Sequence, residues 1–304
     1  MNESDIAADK AAVLEGFHLI DKPSGITSHR LLSSIKKTVA SRGKIGHAGT
    51  LDSFASGMLI VLLGRYTRLS DYFMSAGKGY DALLRFGEET DTLDPEGTVV
   101  ATAPLPRLED LEAVLPSFTG EILQAPPAYS AVHINGQRAY ELALRGEAVE
   151  PEARPVSIQR LDLLSYGNGE ARLRIACSKG TYIRSLARDI ALACGSRAHL
   201  RELRRTFSGP FTLEDAMAPE EAVRCLPRKL GVKDALGLGL EVLTLSGPEA
   251  PLFARGMPLH RMDAFQGNAA KRPLAVFNER GILMGIALRD GKRWSYGMVF
   301  EGSA

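Results

Sequence analysis

The sequence predicts an α+β fold with one large domain and one small one. Segments with strand periodicity are mixed with segments of helical periodicity, but the two do not follow a regular β-α-β order. A chain of 304 residues with 45% hydrophobic content can bury a sizeable hydrophobic core, and its length fits one large domain plus a small one. Near residue 244 the composition shifts toward glycine and proline, which is typical of a boundary between two units.

The first elements surround a glycine-rich loop. Residues 17–21 are predicted to form a short strand that ends in a turn. Thr27 or Ser28 can cap a helix whose apolar residues share one face, and Gly43 ends it. The loop 43–49 follows. Farther along, alternating side chains at residues 80–86 predict a strand with one partly solvated face.

Later elements alternate in the same irregular way. We predict a short helix at residues 108–115 and a hairpin at residues 132–138, whose Asn-Gly pair is a strong turn signal. Residues 173–177 alternate as a strand. They lead into a helix that begins near Ile183 and that Gly195 closes.

The chain is predicted to divide into three parts. Residues 1–15 are expected to be a disordered tail, and residues 16–243 a catalytic domain with a hairpin insertion at about 126–155. Residues 244–304 are expected to form a small β-rich module with strands at 274–277 and 282–288.

Charge distribution is more informative than the net charge of +1. Six Lys or Arg and no acidic residue lie between Lys22 and His47, and seven Lys or Arg lie between Lys179 and Arg205 against two acids, Asp189 and Glu202. Such local basic density can bind a polyanion, although solvated surfaces give the same pattern. The sequence has no apolar signal core and three widely separated cysteines, so we expect a cytoplasmic protein.

Six blocks of sequence resemble, in order, those of the bacterial tRNA pseudouridine-55 synthases. The central block is Gly-His-Ala-Gly-Thr-Leu-Asp-Ser-Phe-Ala-Ser-Gly at 46–57. The other five blocks are residues 21–23, 78–80, 90–94, 127–131 and 177–189. The family usually has Thr at the position of Ala48 and Pro, Leu and Thr near Ser53, Phe54 and Ser56. These differences leave the His, the glycines and the Asp of the block in place.

The resemblance implies a pseudouridine synthase fold, with a mixed, largely antiparallel sheet flanked by helices and a C-terminal, barrel-like PUA-type module. It also implies that uridine in the T loop of tRNA is flipped out and converted to pseudouridine. Asp52 would be the catalytic carboxylate and Arg184 the cation that keeps it ionised. Tyr80 would pack against the base and handle the proton at C5.

The remaining predicted site residues would bind the substrate. By resemblance, Tyr182 is a second aromatic wall, His47 holds the flipped loop and Lys22 is the strand-end lysine near the catalytic aspartate. The basic segment 197–205 is interpreted as a phosphate-contacting surface, in which Leu203 faces inward at helical spacing. The other substrate-binding residues predicted are Lys179, Arg201, Arg204 and Arg205.

No cofactor and no metal is expected, and the expected partner is the tRNA T stem-loop, bound by a monomer without an obligatory protein partner. Two alternatives remain open: an RNA-guided pseudouridine synthase, and a tRNA-binding or tRNA-folding module in which catalysis is secondary. A hydrolase would need a second carboxylate at a matched distance. The sequence gives no sign of that role at Asp91 or Asp94.

Overall fold

The computed structural model describes residues 14–39, 43–130, 132–134, 136–145, 147, 151–291 and 293–300. Most of the predicted tail therefore lies outside the described residues. The described helices are α1 (Ser28–Val39), α2 (Ser70–Ser75), α3 (Leu108–Val114), α4 (Ala139–Leu144), α5 (Ile183–Ala193), α6 (Val232–Gly237) and α7 (Glu249–Ala254). None of these helices has the length and apolar character needed to cross a bilayer.

The described strands form two main sheets and two short hairpins. In chain order they are β1 (Gly16–Lys22), β2 (Ile45–His47), β3 (Ser56–Leu63), β4 (Lys78–Phe86), β5 (Glu88–Thr90), β6 (Val99–Thr102), β7 (Gly120–Gln124), β8 (His133–Ile134), β9 (Gln137–Arg138), β10 (Arg154–Gly167), β11 (Glu170–Cys177), β12 (Ala198–Ser208), β13 (Phe211–Thr212), β14 (Glu241–Thr244), β15 (Leu274–Phe277), β16 (Leu283–Asp290) and β17 (Arg293–Val299).

The larger sheet carries the strand order β1-β3-β12-β4-β11-β10-β7, with β2 paired to β3 and β13 to β12. Its neighbours are antiparallel except β3 and β12, which run parallel. The mixed, largely antiparallel sheet predicted from the sequence is therefore confirmed. Helices α1 and α5 contribute Leu31, Ile35, Leu186 and Ile190 to the hydrophobic cluster that also contains Tyr80 of β4.

The basic segment 197–205 is not a helix, so its predicted helical spacing is wrong. It lies mostly in β12, where a β-bulge between Leu200 and Glu202 inserts one extra residue. Leu200 therefore pairs with Leu84 and Leu203 with Ala82, which places two residues three apart on one face of the sheet. A bulged strand thus produces the same apolar spacing as a helical turn.

Other predicted elements agree with the structure to within a few residues. Strand β1, helix α1, strand β11 and helix α5 all occur where the sequence indicates them. The predicted hairpin is formed by β8 and β9, which pair through His133 with Arg138 and Ile134 with Gln137. Asn135, in its turn, lies outside the described residues.

The C-terminal sheet has the linear order β14-β15-β16-β17. Residues of β15 and β16, including Phe277 and Ile286, share a hydrophobic cluster with Phe17 of β1 and Leu62 of β3. The C-terminal strands therefore pack directly on the large sheet. The barrel-like PUA architecture stays a prediction.

The close pairing of β3 with β12 depends on Gly57. Gly57 has a φ of +102°, and a Cβ there would lie 2.3 Å from the carbonyl oxygen of Arg205. We expect Gly57→Ala to lower the free energy of unfolding by roughly 3 kcal/mol, through backbone strain and this overlap. Urea unfolding followed by circular dichroism measures the effect.

Gly120→Ala is the matched control for this substitution. Gly120 also has a positive φ, +93°, but a Cβ there meets nothing within 4 Å. We expect Gly120→Ala to lower the free energy of unfolding by only about 1 kcal/mol, because its cost comes from the positive φ alone. Equal losses for the two variants would show that the close approach of β12 does not matter.

Candidate active site

Seven of the eleven predicted site residues line one cavity of about 740 Å³. The cavity lies where the loop after β2, strand β4, the segment after β7, the start of α5 and strand β12 meet. The seven residues are Asp52, Tyr80, Lys179, Tyr182, Arg184, Leu203 and Arg205. The other four, Lys22, His47, Arg201 and Arg204, do not line it.

Arg184 binds Asp52 side-on. Its Nε lies 3.0 Å from Asp52 Oδ2, and its Nη2 lies 3.3 Å from Asp52 Oδ1. The arginine side chain is 9% exposed and the aspartate side chain is 36% exposed. Because α5 begins at residue 183, the arginine sits in its first turn, beside the cavity. The geometry is that of a charge-assisted pair with one carboxylate facing open space.

Asp94 is a second carboxylate on the same arginine, and the sequence reasoning missed it. Its Oδ2 lies 3.2 Å from Arg184 Nη1, and its side chain is 6% exposed. Thr92 Oγ1 donates to its Oδ1 at 2.6 Å, and the Glu96 amide donates to the same oxygen at 3.0 Å. Burial raises the pKa of Asp94, while these hydrogen bonds and the arginine lower it.

The signal for Asp94 was present in the sequence but could not be interpreted there. Its block, 90–94, belongs to the resemblance, yet nothing in its spacing indicates contact with the start of α5. In the structure Leu93 adopts a φ of +61°, which is unusual for a residue other than glycine. In this turn the carbonyl oxygen of Thr92 also accepts a hydrogen bond from Arg184 Nη1 at 2.9 Å.

Buried side chains of β1 and α1 hydrogen-bond to the backbone of the loop that carries Asp52. Lys22 is fully buried, and its Nζ donates to the carbonyls of Pro23, Ile26 and Ser53 at 2.9, 2.8 and 3.4 Å. Ser28 Oγ both donates to the Leu51 carbonyl and accepts from its amide. The structure therefore corrects the prediction for Lys22: its ammonium supports the loop and does not face the cavity.

Burial also dominates the electrostatics of Lys22. Loss of hydration lowers the pKa of its ammonium to about 8, although the negative charge of Asp52 opposes this shift. At pH 7 the group is therefore still a cation beneath the Asp52 loop.

Arg205 was predicted to contact phosphate, but the structure buries it under the cavity. It is 3% exposed and donates to the carbonyls of Gly49, Thr50 and Met58. Its Nε donates to Tyr80 Oη at 3.3 Å, and its guanidinium lies 5.6 Å from the centre of the tyrosine ring. Arg205 thus ties β12 to the Asp52 loop and to β4.

Tyr80 and Tyr182 supply aromatic surface to the cavity from two different elements. Burial raises the pKa of both phenols. Tyr80 is almost wholly buried in β4, whereas Tyr182 is the residue preceding α5. The Tyr182 amide donates to Gln124 Oε1 at 2.8 Å, so the end of β7 fixes the start of this helix.

Arg204 and Arg201 already have carboxylate partners. Arg204 pairs opposite Asp81 in the sheet, whereas Arg205 pairs opposite Tyr80, so these neighbours point to opposite faces. Arg204 binds both carboxylate oxygens of Asp21, at 3.0 and 2.7 Å. Arg201 forms an ion pair with Glu170. Neither arginine therefore belongs to the cavity.

His47 lies in β2 and is half-buried. Burial lowers its pKa, and the positive charge of Arg205 lowers it further. The imidazole is therefore neutral at pH 7, which suits hydrogen bonding rather than charge pairing.

Comparison with known proteins identifies the group to which the chain belongs. Residues 36–183 match the N-terminal domain of TruB family pseudouridylate synthases, and residues 184–225 match the C-terminal domain of tRNA pseudouridylate synthase B. The chain belongs to the TruB family. The first matched domain ends at residue 183 and the second begins at Arg184. The second ends at residue 225, before the C-terminal sheet.

Curated TruB relatives share a large fraction of their sequence with this chain. The tRNA pseudouridine synthase B of Borreliella afzelii is 52% identical over 204 residues, which cover 66% of this chain and 72% of the relative. That of Corynebacterium efficiens is 39% identical over 276 residues, which cover 88% of this chain and 93% of the relative.

Solved structures of a related kind share the fold. A crystal structure of a Cbf5-Nop10-Gar1 complex aligns with a TM-score of 0.69 at 25% identity, covering 97% of this chain and 86% of that one. An archaeal box H/ACA sRNP Nop10-Cbf5 complex aligns with a TM-score of 0.67 at 23% identity, covering 94% and 86%.

Removing the shared cation tests this TruB site. Arg184→Met leaves Asp94 buried without a partner charge, so we expect it to lower the free energy of unfolding by about 3 kcal/mol at pH 8. The loss should be smaller at pH 5. The pKa of an unpaired, buried Asp94 rises, the folded state then binds more protons than the unfolded state, and stability falls as the pH increases.

The measurement is urea unfolding of the wild type and Arg184→Met at pH 5 and pH 8. The double variant Arg184→Met/Asp94→Asn is the control, because its amide cannot ionise. It should recover most of the loss at pH 8. A penalty that is equal at both pH values, or that the second substitution does not relieve, would contradict the assigned partnership.

Proposed function

We propose that this chain converts uridine 55 in the T loop of tRNA to pseudouridine, with Asp52 as the catalytic carboxylate. The observation that carries the proposal is the side-on pair between Asp52 and Arg184 at the edge of a cavity that two tyrosines line. Pseudouridine synthase B relatives at 39–52% identity act on tRNA by name, and this supports the same substrate.

The size and lining of the cavity suit a single nucleotide. A base stacked inside an RNA loop cannot reach a buried carboxylate, so the target uridine has to rotate out of the loop, at a cost of a few kcal/mol. Stacking against Tyr80 and Tyr182 offsets roughly 1 to 3 kcal/mol of that cost for each base–ring contact. Leu203 supplies apolar surface to the same cavity.

The chemistry requires a carboxylate that is ionised at neutral pH. Arg184 supplies a permanent positive charge 3.0 Å from Asp52 Oδ2. In the reaction the bond from N1 to the sugar breaks and a bond from C5 to the same sugar carbon forms. The proton on C5 is lost and N1 gains one, so the product is an isomer of the substrate.

Tyr80 is placed to take part in that proton transfer. Burial keeps its phenol protonated, and Arg205 occupies one lone pair of its oxygen. Because arginine can only donate, the phenolic hydrogen has to point away from Arg205. Tyr80 therefore begins the reaction as a hydrogen-bond donor.

The enzyme is proposed to act alone on free tRNA, as a cytoplasmic monomer. An RNA-guided mode is the second candidate, because the structural neighbours include Cbf5 complexes. The higher identity to the tRNA enzymes, and a hairpin β8–β9 next to the cavity, favour the stand-alone mode. Activity on transcribed tRNA without added RNA or protein distinguishes the two.

The central test is release of tritium from tRNA that carries 5-tritiated uridine. We expect Asp52→Asn to abolish release while its dissociation constant for tRNA stays within about threefold of wild type, because the amide has nearly the same shape but is not a nucleophile. Ser53→Ala, one residue away on the same loop, is the matched control and should retain activity. Turnover close to wild type in Asp52→Asn would refute the catalytic assignment.

A further inference from the structure

Two lysine ammonium groups are anchored on one short segment of the cavity wall. Lys78 Nζ donates to the carbonyls of Met74 and Ala76 at 2.9 and 3.0 Å, and Lys179 Nζ donates to Ser75 Oγ at 3.4 Å. Three consecutive residues at the end of α2 therefore hold both groups. Both lysines line the same cavity as Asp52.

Neither ammonium has a counter-ion among the residues that the structure describes. Lys78 contacts only carbonyl oxygens and Lys179 only a hydroxyl, while the guanidinium of Arg205 lies close by. A Cβ placed on Gly49 would lie 3.6 Å from Lys78 Cε and 4.0 Å from Arg205 Nη1. The absence of a side chain at Gly49 leaves room beside these cations.

The arrangement is unfavourable for the charged form of Lys78. Lys78 is 8% exposed, and its burial lowers the pKa of its ammonium to about 8. The like charges of Arg205 and Lys179 contribute to this shift. The group is still charged at pH 7, yet two acceptors satisfy only two of its three N–H donors. A buried cation without a counter-ion is unfavourable, and an anion that enters the cavity relieves this cost.

We propose that Lys78 and Lys179 form a binding site for one phosphodiester group of the RNA, adjacent to the nucleotide that enters the cavity. This inference rests on the proposed function, because a flipped nucleotide brings its own flanking phosphates to the mouth of the cavity. Ammonium groups recognise phosphate oxygens as point charges and donors, which matches the single free N–H of Lys78. The site fixes the backbone so that the base can stay between the tyrosines.

The experiment uses T stem-loop RNA in which one linkage beside the target uridine, on its 5′ or its 3′ side, is a neutral methylphosphonate. Binding is measured with the wild type, Lys78→Gln and Lys179→Gln. Lys233→Gln, an exposed lysine of α6 away from the cavity, is the control. We expect each cavity substitution to weaken binding about tenfold and to reduce the salt dependence by about one ion, with no effect in the control.

The decisive result is the comparison within this set. One of the two methylphosphonate RNAs should weaken binding to the wild type by more than either single substitution does. The same RNA should cause a smaller loss in Lys78→Gln or Lys179→Gln, because each variant keeps one of the two lysines, and no further loss in the double variant Lys78→Gln/Lys179→Gln. Lys78→Arg should restore most of the affinity, because it keeps the charge. Since Lys78 is buried, Lys179→Gln provides the same test at an exposed position, where folding is not at risk.

Losses that simply multiply, or a wild type that is indifferent to both neutral linkages, would overturn the phosphate site. Failure of the proposed function looks different. In that case the wild-type protein releases no tritium from unmodified tRNA, whatever residue occupies position 78 or 179.

Discussion

One guanidinium organises the cavity. Arg184 donates four hydrogen bonds, to Asp52, to Asp94 and to the carbonyls of Thr92 and Tyr129, and its Nε forms a further ion-pair contact with Asp52. These acceptors come from three segments that are far apart in the sequence. One cation therefore serves two carboxylates. Asp52 is the more exposed of the two, so its oxygens are the ones accessible from the cavity.

The arrangement also connects Asp52 to the hairpin insertion. Tyr129 lies where the chain enters the insertion, and its carbonyl accepts from the same Nη2 that binds Asp52. Ser185 and Arg188 of α5 both donate to the Ala125 carbonyl in the same stretch. The segment after β7 is therefore fastened to the first turns of α5. One set of hydrogen bonds therefore positions both the insertion and the Asp52 carboxylate.

Local patterns were sufficient to predict much of the fold. Strand alternation and capping residues indicate β1, α1, β11 and α5 because each is set by neighbours in sequence. Strand β12 could not be predicted in this way, since its bulge copies the spacing of a helix. The order of strands in the sheet and the packing of the C-terminal strands depend on long-range contacts, and no local pattern encodes these.

The same distinction applies to the site. The resemblance identified Asp52, Tyr80, Tyr182 and Arg184 as site residues, because each belongs to a block with a specific sequence. All four line one cavity in the structure. Arg205 was misassigned to a phosphate-contacting surface, since a basic side chain reads as surface until its burial is known. Lys22 lies near Asp52, as the resemblance implies, but its ammonium binds the carbonyls that support the Asp52 loop. Asp94 and Lys78 were overlooked for the opposite reason. Their importance lies in which partners surround them, and only the three-dimensional structure supplies that.

The bulge in β12 makes the length of this strand as important as its composition. Leu203 and Arg205 face the cavity, and Arg204 faces away, because one extra residue precedes them. Deleting a single residue from the bulge would exchange the two sides. Arg204 would then face the cavity, while Arg205 would point outward and lose its hydrogen bonds to the Asp52 loop. The register of one strand, set by a single inserted residue, therefore determines which arginine faces the cavity.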